Sequence, residues 1–460
     1  DPCQSDFIYG LHEAGGEAVM EQAGAKGWVL FTEAIGADPN DRGGRDYSSY
    51  CNRGFGIMVR INNGYEPAGT LPRSERYNDF ARRCANFVQN SRGCNVWIIG
   101  NEMNHPVERA GGAGGEAITP EMYARCYRLC RDAIHQVQPQ AQVIVGSVAP
   151  WNPSTPYPGN PNGDWVLYFA DILKLLGPTN CDGFSLHAYT HGDDPNLVVS
   201  EALMDKPFQN RRYNFRVYQD FLNAVPASMR SLPCYITETD QGDIPWTNRN
   251  TTWVQRAYGE IDWWNRQPGN QVIRALILYR WPQVAGDRWG IEGKQGVVED
   301  LRESIKWRYT WPDKLQRRPE IMARFVEYAV PATLTAGSAV TVSLRVRNEG
   351  SKTWLKAGAN PVRLGYHWLD SSGTEVAFTN GDLRTELPND VPPNGEVLFS
   401  AARLAVPTQA AKYTLRWDLV EEGVAWFRQR GSTPLTVAVE VKAGQSEPRP
   451  SAEQFFPETK

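Results

Sequence analysis

The sequence predicts an α/β chain in which a (β/α)8 barrel, residues 1–311, is followed by a smaller antiparallel β-sandwich. Three observations predict it. Eight short apolar runs alternate with amphipathic segments through the first two thirds of the chain. Nearly every one of these runs ends in a cluster of polar residues, as barrel strands do at their C-terminal rim. After Trp311-Pro312 the cysteines vanish and short alternating segments begin, separated by Gly, Asn and Pro.

Taken in order, Phe7–Glu13 reads as the first strand, ending in His12 and Glu13, and a small-residue helix follows over Gly15–Ala25. Trp28–Glu33 and Phe55–Asn62 are the second and third strands, the latter carrying Arg60. A helix over Ser74–Asn90 leads to Asn95–Asn104, a β-branched and aromatic run that breaks into amides and one carboxylate. Helix Glu121–Val137 stops near Pro139, and Gln142–Ser147 is strand five, leading to Trp151. Asp164–Leu176 is an amphipathic helix closed by Gly177-Pro178. Asp182–Tyr189 is strand six, Asn214–Ala224 a helix, and Cys234–Asp240 strand seven. Trp253–Gln267 is a helix and Val272–Trp281 the eighth strand. A doubly wound sheet would also alternate, but no G-x-G-x-x-G follows the first strand, so a dinucleotide fold lacks its fingerprint.

The second domain is expected at 331–442, after a linker at 312–330. Its strands are Val340–Asn348, Pro361–Leu369, Gly395–Leu404, Tyr413–Leu419, Val424–Arg430 and Leu435–Val441. The Pro-, Glu- and Ser-rich stretch 443–460 is expected to be extended or disordered.

Bulk properties exclude several function classes. The net charge of −4 is small and no basic run exists, so neither nucleic acid nor an anionic membrane is expected as a partner. No apolar stretch approaches the ~18 residues of a membrane span. Six His with no H-E-x-x-H, and no Asp-rich calcium loop, point to no metal and no cofactor. The chain begins at Asp1 without Met, which reads as a mature, secreted or cell-surface protein. The eight cysteines all lie between Cys3 and Cys234 without a C-x-x-C pair, so disulfides are expected. Cys181 with Cys234, Cys84 with Cys94, and Cys126 or Cys130 with a neighbouring element are open pairings. Asn250-Thr251-Thr252 is a glycosylation sequon, relevant in a eukaryotic host.

In a barrel, all strands deliver their last residues to one rim, so Glu102 after strand four and Glu238 on strand seven reach across the mouth. Two carboxyls held there about 5–5.5 Å apart would make a retaining glycosidase pair, one protonated to donate and one ionised to attack. At these residues the chain resembles the clan A glycoside hydrolases. Gly100-Asn101-Glu102 is similar to the clan's Asn-Glu motif, in which Glu is the acid/base and Asn binds the sugar 2-hydroxyl. Thr237-Glu238-Thr239 resembles its nucleophile strand. His187 and Tyr189 resemble its His-x-Tyr pair, in which Tyr bonds the nucleophile, and Trp281 resembles the Trp that floors the subsite beside the cleaved bond. The pattern departs where strand two ends in Glu33 rather than Arg, and where strand three ends near Arg60 and Asn62 without His.

The resemblance implies a retaining hydrolase of a polysaccharide or oligosaccharide, with Glu102 as acid/base and Glu238 as nucleophile. A transglycosylase would use the same residues, and a non-catalytic carbohydrate-binding barrel is the rival from another class. Asp240, two residues beyond Glu238, competes for the nucleophile's role. Trp281 and Trp151 read either as sugar platforms or as core packing. His187 reads as a site residue or a rim hydrogen-bonding partner. His12, Glu33 and Arg60 read as substrate contacts or as ion pairs in the barrel mouth. Arg347–Trp354, with Trp368, Trp417 and Trp426, resembles four-tryptophan immunoglobulin-like domains, which implies packing or docking; its partner is unknown, and glycan binding is the sharper alternative.

Overall fold

The computed structural model describes residues 3–312, 320–377 and 383–444. The chain divides into two compact units, residues 1–314 and 315–460. In the first unit, eight parallel strands close into a barrel in chain order. They are β1 (Tyr9–His12), β2 (Trp28–Ala34), β3 (Gly56–Asn62), β4 (Val96–Ile99), β5 (Gln142–Val145), β6 (Phe184–His187), β7 (Cys234–Thr239) and β8 (Ile273–Leu278). Helices α1 (Glu17–Gln22), α2 (Ser48–Asn52), α3 (Tyr77–Gln89) and α4 (Pro120–Val137) follow the first four strands. Helices α5 (Trp165–Leu176), α6 (Val217–Asn223), α7 (Trp253–Arg266) and α8 (Gln295–Ile305) complete the ring. Neither α2 nor α8 was expected from the sequence. The first is only five residues long, and the second starts at Lys294 without a side-chain cap.

Strand alternation sorts the barrel's side chains into two cores. Trp28, Leu30, Met58, Val96, Ile98, Ile144, Tyr235, Ala275 and Ile277 fill the interior. Their neighbours, such as Val29, Ile57, Trp97, Leu186 and Leu276, pack outward beneath the helices. The parity of β3 continues past Met58 to Arg60 and Asn62, both buried, so these polar residues cap the interior. On β2 the same parity sends Glu33 outward with Val29.

In the second unit, β9 (Ala323–Ala329), β10 (Thr333–Thr335), β11 (Ala339–Asn348), β12 (Val362–Leu369) and β13 (Thr385–Glu386) come first. They are followed by β14 (Glu396–Ala405), β15 (Ala411–Glu421), β16 (Ala425–Trp426) and β17 (Leu435–Lys442). One sheet is ordered β14-β11-β9 and the other β10-β17-β15-β12-β13, with β16 on β15. A single core joins the two sheets, with Trp354, Trp368 and Trp417 fully enclosed in it. Pairing is antiparallel apart from β10 on β17. The expected linker at 312–330 is corrected here, because its last part is β9, hydrogen-bonded to β11. The expected strand Val424–Arg430 is a two-residue bridge followed by a 3-10 turn. Beyond residue 444 the expected extended tail lies outside the described residues.

The cysteine expectation is also corrected. Cys3 and Cys51 form a disulfide, and the other six thiols are free and buried. Register explains one miss: Phe184, not Cys181, lies beside Cys234. Cys84 on α3 instead hydrogen-bonds Cys130 on α4, while Cys94 lies at the foot of β4 against the Val96 carbonyl. Thiol titration of denatured, unreduced protein should therefore count six reactive groups, and native protein close to none. Four or fewer after denaturation would mean a second disulfide.

Among the described residues no helix is long and apolar enough to cross a membrane.

Candidate active site

β4 ends at Ile99, and the chain then turns through Gly100, whose φ of 75° lies in the left-handed region open to glycine. Glu102 is also left-handed, at φ 43°, which is costly for a residue with a Cβ. The surrounding hydrogen bonds hold it there. The Glu102 N–H donates to the Ser147 carbonyl at 2.8 Å, and the His105 N–H donates to the Glu102 carbonyl at 2.8 Å. The turn aims the Glu102 side chain into a cavity of about 450 Å³ at the C-terminal rim.

Glu238 reaches the same cavity by a different device. Alternation from Tyr235 and Thr237, which face inward, would send Glu238 outward with Ile236. The pairing of β6 with β7 skips one residue, so that Leu186 faces Ile236 but His187 faces Glu238. The extra residue is Thr237, and the bulge turns Glu238 inward beside it. Thr237 itself is held inside, its Oγ1 2.9 Å from Ser147 Oγ.

The two carboxyls share a network. Tyr189 Oη donates to Glu238 Oε2 at 2.8 Å, and Arg60 Nη1 donates to Glu238 Oε1 at 2.7 Å. His187 Nδ1 lies 2.8 Å from Glu102 Oε1 and 3.1 Å from Tyr189 Oη. Glu102, His187 and Glu238 bring an oxygen or nitrogen each within 4.8 Å of one another. That group could hold a cation, but the guanidinium of Arg60 already occupies one face of Glu238.

Electrostatics favours Glu238 as the anion. Burial opposes ionisation of Glu238, but the charges of His187, Arg60 and His12 outweigh it and hold its pKa down at about 2. Burial and the Arg60 charge push His12 well below the usual histidine range. The His12 contribution therefore fades at neutral pH, while the Arg60 guanidinium stays charged. Asp240 behaves oppositely: burial, with repulsion from Glu238 and Glu102, raises it to about 8. It accepts from the Gly242 N–H at 2.6 Å and is protonated at neutral pH, a poor nucleophile.

The remaining expected residues divide. Asn101, Arg60, Trp151 and Tyr189 line the cavity with Glu102 and Glu238. Trp151 is anchored by its Nε1–H to the Arg212 carbonyl at 2.9 Å and packs on His191, ring centres 4.5 Å apart. His187 lies fully buried behind the carboxyls, so it acts on them and not on a ligand. His12 is likewise buried, its Nε2 3.7 Å from Glu238 and its ring edge-on to Tyr279. Glu33 is not brought to the cavity. It accepts from Tyr47 Oη at 2.9 Å and pairs with Arg45 at 2.9 Å, outside the barrel mouth. Trp281 is not a cavity wall either, since it lies past the end of β8 and packs on Gly15 and Gly16, where any Cβ would strike its ring.

Tyr279 and Trp289, in edge contact at 6.0 Å, line the cavity from the β8 side. Tyr279 had a signal, since it continues the inward parity of Ala275 and Ile277. Trp289 and Arg288 come from the following loop, where no periodicity marks them. Glu108, on a 3-10 turn at Pro106–Glu108, also lines the cavity and was missed.

No protein-family model matches the chain, and no curated protein matches it. Solved structures similar to it include a glucosidase from Croceicoccus marinus, 12% identical, covering 88% of this chain and 98% of that one with a TM-score of 0.45. A glycoside hydrolase family 44 endoglucanase of Clostridium acetobutylium is 9% identical, covering 91% and 97%, with a TM-score of 0.39. A Paenibacillus polymyxa xyloglucanase of the same family is 10% identical, covering 87% and 97%, with a TM-score of 0.39.

Proposed function

We propose that the barrel is a retaining glycoside hydrolase acting on a polysaccharide or oligosaccharide outside the cell. The observation that carries the reading is the pair Glu102 and Glu238. One oxygen of each lies within 4.8 Å of the other, and Arg60 and Tyr189 hold Glu238 as the anion. Retaining enzymes place their carboxyls about 5–5.5 Å apart, whereas inverting ones need about 6.5–9.5 Å to seat a water between them.

In the first step Glu238 attacks the anomeric carbon while Glu102 gives its proton to the leaving oxygen, and the glycosidic bond breaks. In the second, Glu102 takes a proton from water, which displaces Glu238 from the same carbon. Two displacements restore the starting configuration. The side chain of Tyr189 supports the first step by donating to Glu238 until the covalent bond forms. Aromatic walls at Trp151, Tyr279 and Trp289 suit sugar rings, which present C–H faces to π-systems. A carbohydrate-binding barrel without catalysis would need neither an ionised Glu238 nor a Glu102 held in left-handed backbone. A transglycosylase would use the same groups with a sugar acceptor in place of water.

The test is hydrolysis of a panel of aryl glycosides, followed by proton NMR of the first-formed sugar. A product of unchanged anomeric configuration is expected. An inverted first product would overturn the double displacement, and an enzyme inert on the whole panel and on natural glycans would overturn the hydrolase.

A further inference from the structure

Trp151 lies in the loop after β5 with its backbone at φ 58°, a left-handed conformation that is costly for so bulky a side chain. Asn104, buried in the loop after β4 two residues beyond Glu102, clips that loop on both sides of the ring. Its Oδ1 accepts from the Ala149 N–H at 2.8 Å, and its Nδ2 donates to the Ala149 and Asn152 carbonyls at 2.9 and 3.2 Å. The Thr155 hydroxyl completes the clip by donating to the Asn104 carbonyl at 2.6 Å. The loop of Glu102 and the loop of Trp151 are thus held as one unit.

The ring does not stand alone. His191, after β6, packs on Trp151 and lies flat against Tyr213, ring centres 3.7 Å apart and planes 6° apart. Tyr213 is 6.1 Å from Trp151 and 39% exposed, so aromatic surface continues from the cavity wall out to solvent. With its Nε1–H already donated to the Arg212 carbonyl, Trp151 offers a ligand its face and not a hydrogen bond. The carboxyls place this surface in the reaction. Glu238 faces Arg60 of β3 and His12 of β1, the half of the rim where Tyr279 stands. Glu102 is tied through Ser147 and Asn104 to the loop after β5. The sugar whose anomeric carbon meets Glu238 then occupies the Tyr279 half, and the Trp151 half is left to the group that departs with the Glu102 proton.

Resting on the glycosidase reading, we propose that Trp151 and Tyr213 form the binding site for the leaving side of the substrate, which is a saccharide of two or more units, and that Asn104 is a positioning residue holding this platform in register with Glu102. A sugar stacked on a face that is fixed to the proton donor brings its departing oxygen to that donor, which raises rate as well as affinity. Asn152 and His105 line the same cavity and supply polar groups for the hydroxyls of the stacked ring.

The experiment uses tetrasaccharides of glucose, xylose, mannose and galactose, and the glycosyl fluorides of the same sugars, which bring no sugar to the leaving side. On the sugar that the wild type cleaves, Trp151→Ala lowers kcat/KM for the tetrasaccharide about tenfold more than for the fluoride, the scale of one stacked ring. Trp151→Phe restores most of that ratio, and Tyr213→Ala shifts it by about threefold. Asn104→Ala shifts it in the same direction, which a general loss of stability would not do. Reactivation of the 2-deoxy-2-fluoroglycosyl enzyme gives a second reading. A disaccharide of the same sugar speeds release in the wild type: its hydroxyl attacks the anomeric carbon, Glu102 takes the hydroxyl proton, and the bond to Glu238 breaks. In Trp151→Ala that acceleration falls about tenfold. Equal losses on tetrasaccharide and fluoride, or acceleration unchanged in Trp151→Ala, overturn the leaving-side site and leave the hydrolase standing. A wild type inert on every tetrasaccharide and every fluoride overturns both.

Discussion

Glu238→Ala is expected to lose at least about 10⁴-fold in kcat on natural substrates, since removing a covalent nucleophile removes the pathway and not merely a contact. The loss should be partly reversible. Azide fits the space the carboxylate leaves and attacks the anomeric carbon from the same side. The variant should then give a glycosyl azide of inverted configuration from an activated substrate, because only one displacement occurs. Glu102→Ala should behave differently, giving azide product of retained configuration through the intact Glu238 intermediate. Substrates with good leaving groups should suffer less from the Glu102 change, because they need little proton assistance. Full activity in Glu238→Ala would sink the assignment of the nucleophile, and Asp240 would then be examined next.

Arg60→Met should have the next largest effect, and on stability as well as rate. Arg60 and Glu238 are 5% and 7% exposed, and their 2.7 Å contact is shared with no other cation of permanent charge. Removing one partner of a buried pair strands the other, at a cost of about 3–5 kcal/mol. The sign with pH follows from Glu238. Its folded pKa of about 2 lies below the roughly 4.3 of a free Glu, so its ionisation contributes stability above pH ~4 that is lost as pH falls toward 2. In Arg60→Met the burial penalty is no longer offset by the guanidinium. The stability difference from wild type should therefore be greatest at neutral pH and shrink in acid, where the stranded carboxyl protonates. Activity should fall about 10²–10³-fold, the scale of losing one preorganised charge partner. Denaturation of the barrel at pH 7 and pH 4 checks the first claim. Equal destabilisation at both values would mean that the ion pair is not what Arg60 contributes.

The barrel was legible because its signal is repeated eight times. Each strand is a short, mostly apolar run, and each failure of a single run is outvoted by the others. Legibility extended to side-chain direction wherever alternation held. His12, Arg60 and His187 fall on the inward parity of β1, β3 and β6; all three meet Glu238, and His187 meets Glu102 as well. Glu33 could have been set aside on the same ground, since its parity is that of Val29. The disulfide was not legible, because pairing depends on which sulfurs the loops bring together. Cys3 and Cys51 lie 48 positions apart, with no spacing rule between them.

What the sequence by itself determined was the order of strands, their inner and outer faces, and hence which polar residues arrive at one rim. These depend on local periodicity, and period two survives in any context that buries the strand. Only the tertiary structure decided the three features on which the chemistry turns. Thr237 bulges against β6, which reverses the face of Glu238 predicted by parity. Ser147 holds Glu102 in left-handed backbone through a hydrogen bond that exists only once β4 and β5 are side by side. Tyr279 and Trp289 take the wall expected of Trp281, because Gly15 and Gly16 leave room for that ring on the β1 side. Each is a departure from regular structure, stabilised by a neighbour distant in sequence, and such departures leave no periodic trace in the chain.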